Sequence, residues 1–198
     1  GIATQSKEFV MGTIHKYDWV QVGAAIKHPD EGKVIDMSPA IQNELGVKDG
    51  YLKIYPYSGY GNPNFLRQIL QVENPDAILH FTDPRFWIWL YNMEHEIRQN
   101  IPILYYNIWD DIPDPLYNTN YYRSSDMLMS ISKQTYGINK RILSKYGYED
   151  WQLDYVPHGI TNKRISKIQD KGDTKFREFE QKMGLDKYKY KILYLNLN

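Results

Sequence analysis

The chain of 198 residues has no cysteine. This excludes a disulfide framework, zinc sites built on thiolates, iron–sulfur clusters and cysteine nucleophiles, and it agrees with a reducing compartment such as the cytoplasm. Long apolar runs are missing too. Nothing approaches the roughly 18 to 20 residues that cross a bilayer, and the first residues lack the charged-then-apolar pattern of a secretory signal. The expectation is a cytoplasmic protein, at most peripheral at a membrane. An excess of one charge is also lacking, with 24 Lys and Arg against 24 Asp and Glu. The balance is uneven along the chain: residues 161–198 hold 10 basic and 5 acidic residues, and the first 160 are net negative. The basic stretch alternates Lys with Asp and Glu like a solvated helix. No strong basic face is offered to a duplex, so no nucleic-acid partner is expected.

What is present is ordinary globular composition, 42% hydrophobic and 24% charged, with one unusual number, 18 tyrosines. Tyrosine buries a large ring while keeping a hydroxyl for hydrogen bonds, which suits polar ligands such as sugars. A compositional bias accounts for the count equally well.

Period and punctuation predict strands alternating with helices. The opening 1–14 reads as a helix, and 19–26 and 33–36 read as strands rich in Val and Ile. Residues 51–57 are a further strand, in which Pro56 must end the strand or sit at an edge. Asn62-Pro63 caps a helix that carries Phe65, Leu66, Ile69 and Leu70. Residues 77–81, 102–108, 127–131 and 152–156 are the next strands. Between them lie a long aromatic helix over 85–99 and a helix from Ser132 to about Lys145, stopped by Gly147. Such alternation predicts an α/β fold, Rossmann-like and doubly wound, with a mainly parallel sheet and helices on both faces. The first helix has no strand ahead of it, and the strand-like run 191–198 has nothing after it. Both features suggest a fragment.

Several constellations could carry chemistry. Asp110-Asp111-Ile112-Pro113-Asp114-Pro115 spells D-D-x-x-D, but Pro113 and Pro115 forbid the helix that a diphosphate-binding site of that kind needs. As a loop after strand 102–108 it lies where open α/β sheets bind ligands, which leaves Asp110 as a candidate beside its plainer role as a turn former. Gly59-Tyr60-Gly61 starts like a dinucleotide fingerprint, yet position 64 is Asn and no acidic residue ends the next strand, so it reads as a turn. His80 alternates within an apolar strand and reads as a core histidine. Asp83, just beyond, faces the ligand edge or simply starts a helix with Pro84. Glu94-His95-Glu96 lacks the second histidine of a zinc motif, because position 99 is Gln. No metal site is expected. Phe86, Trp87, Trp89, Leu90 and Met93 read as packing against the sheet before they read as a stacking platform.

Six segments in fixed order resemble the amino-terminal domain of a retaining GT-B glycosyltransferase that uses nucleotide-sugar donors. They are Gly1-Ile2-Ala3-Thr4-Gln5 before a helix, Pro75-Asp76-Ala77-Ile78-Leu79-His80, Pro102-Ile103-Leu104-Tyr105-Tyr106, Ser125-Asp126-Met127-Leu128-Met129-Ser130-Ile131-Ser132, Tyr155-Val156-Pro157-His158-Gly159-Ile160, and Leu193-Tyr194-Leu195-Asn196-Leu197-Asn198. The resemblance implies an acceptor-side domain over 1–160 with its first strand missing, a helical linker over 161–189, and the first strand of a donor-binding domain over 190–198. It implies sugar transfer from a nucleotide-sugar donor to an unidentified acceptor, with no cofactor and no metal, and a chain inactive alone. Gly1 would lie near the donor phosphates, Asp83 and Trp109 would bind the acceptor, and His158 and Gly159 would form the interdomain edge. Some members carry a histidine where this chain has Trp109. A general base would then be Asp110 or Asp111, unless the leaving phosphate takes the proton. Two rivals stand: a non-catalytic Rossmann-like module that binds a glycan or a protein, and a nicotinamide oxidoreductase, which lacks its glycine fingerprint.

Overall fold

The computed structural model describes residues 1–24, 27–159 and 174–187. Residues 1–159 form one compact unit, an α/β fold with two sheets. The first sheet joins β1 (Trp19–Gly23), β2 (Ile35–Asp36) and β3 (Leu52–Pro56) in the order β1-β3-β2, with β1 parallel and β2 antiparallel to β3. The second joins β4 (Ile78–His80), β5 (Ile103–Asn107), β6 (Met127–Ser130) and β7 (Leu153–Tyr155) in sequence order, all parallel.

The helices follow from local signals. Helix α1 (Ile2–Thr13) seats Val10 and Ile14 against Ile41 and Leu52. Helix α2 (Ser38–Leu45) was not expected from the sequence, where only Ile41 marks a buried face; its signal was polar, Asp36 accepting from the Ser38 amide at 2.9 Å ahead of Pro39. Helix α3 (Pro63–Glu73) begins as predicted, with the Asn62 side chain accepting from the Phe65 amide at 3.0 Å. Its last residue, Glu73, staples the first sheet. The carboxylate accepts from the Tyr51 hydroxyl at 2.6 Å, from Lys53 at 3.1 Å and from the Tyr55 hydroxyl. Burial pushes Glu73 up, but these bonds outweigh it and hold the carboxyl below its usual range.

The single helix expected over 85–99 is divided. A 3-10 turn (Pro84–Trp87) leads into α4 (Ile88–Asn92) and α5 (Glu94–Ile97), with the chain leaving helical angles at Trp87 and Met93. Its aromatic rings pack onto different elements. Trp87 lies 5.5 Å from His80, Tyr91 lies 5.0 Å from Tyr121, and Trp89 donates to the Tyr60 carbonyl at 3.0 Å. Gly59-Tyr60-Gly61 is the turn the sequence predicts. At Gly61 φ is +82° and a Cβ would sit 2.9 Å from the Trp89 ring, so two constraints select glycine there.

Helix α6 (Thr119–Arg123) and helix α7 (Lys133–Leu143) complete this unit. Ile138, Ile142 and Leu143 of α7 close a core with Tyr105, Tyr122, Leu128 and Leu153, while Leu66, Leu90, Met93, Ile97 and Ile103 form a second cluster. In the second unit, helix α8 (Thr174–Lys182) and a 3-10 turn (Leu185–Lys187) are described, and neither buries a residue. Helix α8 falls within the expected linker. The strand expected over 190–198 lies outside the described residues, as do Ala25 and Ile26 of the first expected strand. Among the described residues no helix is long and apolar enough to cross a membrane.

Candidate functional site

The carboxyl ends of β4 to β7 form one rim, and each strand delivers a loop to it. After β5 the loop is built on a buried polar chain. The Asn107 amide donates to Asn139 at 2.7 Å, and Asn139 donates to the Ser130 hydroxyl at 3.0 Å. All three side chains are almost wholly enclosed, where such groups are tolerated only when partnered. Asn107 then accepts from the Trp109 amide at 3.0 Å, and the Thr135 hydroxyl donates to the Trp109 carbonyl at 2.7 Å. Ser132 caps α7 by accepting from the Thr135 amide at 3.0 Å. Further along, the Trp109 indole donates to the Asp111 carbonyl at 2.8 Å, Gln134 donates to the Asp110 carbonyl at 3.3 Å, and Arg141 holds Asp114 at 2.6 Å. The acidic, Pro-containing loop is therefore laid along α7 and, as expected, forms no helix over 109–115.

Asp83 and Trp109 come together through a residue that sequence reasoning missed. Asp83 caps the turn after β4, accepting from the Arg85 amide at 3.0 Å, and its carboxylate also holds the Arg85 guanidinium, with Nη2 at 2.6 Å and Nε at 3.0 Å. The guanidinium carbon lies 5.9 Å from the ring centroids of both Trp109 and Tyr117, which meet edge to face at 5.8 Å. Arg85 beside it holds the Asp83 carboxyl below its usual range, and Arg85 is raised in turn. Arg85 follows an Asp-Pro cap that had explained Asp83 without it, and Tyr117 is one tyrosine among 18. Neither stood out in the sequence.

Asp110 is exposed beside this cluster. Its carboxylate has no hydrogen-bond or ion-pair partner among the described residues. The other predicted residues fall in a second group. His158 packs 5.9 Å from Phe81 and 5.4 Å from Tyr106, whose hydroxyl donates to the Val156 carbonyl at 2.6 Å. Burial lowers the His158 pKa. Gly1 precedes α1, and at both Gly1 and Gly159 a Cβ would meet nothing within 4 Å.

Behind the rim His80 is buried, as expected of a core histidine, but it is only half partnered. Its Nδ1 lies 2.7 Å from the Tyr91 hydroxyl, and its ring stacks 5.2 Å from Tyr105. Its Nε2 and the Trp87 indole nitrogen make no hydrogen bond among the described residues. Burial pushes its pKa down to about 3, so the imidazole is neutral. A cavity of about 120 Å³ lies at the opposite edge of the sheet, lined by Tyr122, Arg123, Tyr146 and Gln152 and by none of the predicted site residues. Among the described residues no three His, Asp or Glu side chains converge as metal ligands.

Neither protein-family models, nor curated proteins, nor solved structures give a match to this chain.

Proposed function

We propose that this chain is the acceptor side of a GT-B glycosyltransferase that moves a sugar from a nucleotide-sugar donor to an acceptor hydroxyl. The observation that carries the reading is the meeting of Asp83, Arg85 and Trp109 at the carboxyl rim of an all-parallel sheet, the edge where open α/β sheets bind ligands. Trp109 shapes the acceptor site and Asp83 belongs to it. Asp110, exposed and unpartnered, is the group placed to accept the acceptor's proton as the acceptor oxygen bonds the anomeric carbon and the bond to the nucleoside diphosphate breaks. The departing phosphate is the other possible proton acceptor. The amino end of α1 at Gly1 favours the donor phosphates, and His158 and Gly159 form the edge that would face the donor.

The test is a screen of nucleotide-sugar donors against the full-length protein, reading release of nucleoside diphosphate, repeated with Asp110→Asn. An unchanged rate in the variant removes Asp110 from the mechanism. The 198-residue chain alone is expected to release nothing, and turnover by it overturns the assignment of halves.

A second reading, a module that binds a glycan or a protein without catalysis, is favoured by the engagement of Asp83 with Arg85, which leaves that carboxylate unsuited to proton transfer. Sugar binding by the full-length protein with no turnover of any donor decides for it.

A further inference from the structure

The geometry at the rim points to the chemical class of the acceptor, an inference that rests on the rim being the acceptor site. The Asp83 carboxylate is largely used up. Oδ1 accepts from the Arg85 amide and from Nε, and Oδ2 accepts from Nη2 and, at 3.1 Å, from Nε. It has little capacity left for a ligand. Arg85 is in the opposite condition. Its Nη1 has no hydrogen-bond partner among the described residues, and its side chain is 51% exposed although the guanidinium is fixed on one edge by Asp83 and flanked by two rings. A donor pair already held in place loses little freedom when a ligand binds. Of the two rings Tyr117 is the open one, at 60% exposure, whereas Trp109 is partly buried against the core and its indole N–H is taken by Asp111.

The surrounding charge selects the ligand. Asp83 cancels Arg85, and Arg141 cancels Asp114. Asp110 and Asp111 bear no ion pair among the described residues, so the rim loop stays net negative. Other groups close to the Arg85–Asp83 pair are His80, which is neutral, and the hydroxyl-bearing Tyr105 and Tyr121. A phosphate or carboxylate brought here meets the net negative charge of the adjoining loop, which disfavours it. A hydroxyl oxygen can accept from Nη1, a neighbouring hydroxyl or ammonium can donate to Asp110, and a sugar ring can lie on Tyr117.

We infer that Arg85 and Tyr117 form a subsite for an uncharged or amino-substituted pyranose, with Asp83 holding the guanidinium in place rather than touching the sugar. Arg85 contacts the ligand, and Asp83 is a positioning residue.

The experiment is a titration of the ¹⁵N-labelled 198-residue chain with methyl glucoside, methyl glucosaminide, glucuronate and inorganic phosphate, following the Arg85 Nε–H and Trp109 indole N–H resonances. The first two ligands are expected to shift both signals saturably, and glucuronate and phosphate to bind more weakly than either. Arg85→Met and Tyr117→Ala should each weaken binding about tenfold, the loss that follows removal of a charged donor or a stacking ring. Arg85→Lys should fail to restore it, because an ammonium lacks the fork that Asp83 orients. Asp83→Asn should weaken binding and broaden the Arg85 signal, the mark of a guanidinium no longer held. All three side chains are at least partly exposed, and a dispersed spectrum confirms that each variant is folded.

Tighter binding of glucuronate or phosphate, no shift with any sugar, or binding undiminished in both Arg85→Met and Tyr117→Ala overturns the subsite. The transferase reading fails separately. Turnover by the full-length protein confined to anionic acceptors overturns the subsite and leaves sugar transfer standing. Sugar binding with no turnover does the reverse.

Discussion

The two sheets of the 1–159 unit are held together by different physics. In β5 and β6, Ile103, Tyr105, Leu128 and Ser130 are all at or near full burial, and Ile138 of α7 closes over them with no exposed surface. In β1 none of the five residues is buried, and β3 buries only its two ends. The first sheet rests on a smaller apolar cluster, Val10, Ile14, Ile41 and Leu52, and adds to it the Glu73 staple, one enclosed carboxylate shared by Tyr51, Lys53 and Tyr55. An apolar core resists change in proportion to its packing, and a polar staple depends on every partner being present. The rim cluster stands on the sheet with the apolar core, which is the better platform for side chains that must hold a ligand in fixed geometry.

The comparison can be broken most directly at Ile138. Ile138→Ala should cost about 3–4 kcal/mol in denaturant unfolding, against about 1 kcal/mol for Val20→Ala in half-buried β1. Equal losses would mean that the two sheets share one core. Next, Glu73→Ala should cost about 2 kcal/mol and speed hydrogen exchange in β1 and β3 while leaving β5 and β6 protected. Uniform exchange would show the staple to be ornamental.

Acid sharpens the contrast from the other side. His80 takes no proton in the folded state until about pH 3, but in the unfolded chain it does so near pH 6.5. Its contribution is therefore complete above pH 6.5 and is lost as pH falls toward 3, at about 1.4 kcal/mol per unit. Between pH 6.5 and 5 the unfolding free energy should drop by about 2 kcal/mol, and His80→Phe should flatten that slope. The smallest effect is expected at Arg141, whose pair with Asp114 is open to solvent. Arg141→Ala should leave the thermal midpoint unchanged within error, because Thr135 and Gln134 also hold the loop.

The four parallel strands were legible because each is a short apolar run bounded by turn residues, and the Asn62 and Ser132 caps were legible because those side chains act locally. Helix α2 was hidden by its lack of an apolar stripe, and the split of 85–99 because rings of similar hydrophobicity pack on separate elements. Of the rim residues, Asp83 and Asp110 were singled out from their places after strands and Trp109 from the resemblance. Arg85 and Tyr117 were not, since their meeting joins loops from two strands and depends on distances that no spacing in the sequence encodes.

Gly59 and Gly61 flank one tyrosine and share nearly the same backbone angle, yet evolution should treat them unequally. At Gly59 a Cβ would enter open space, so asparagine can take its place at the modest cost of a left-handed residue. At Gly61 any branch would drive into the indole of Trp89 and pry the tyrosine turn from the helix it leans on. A library randomised at both positions and sorted for folded protein should return mixed residues at the first and glycine alone at the second.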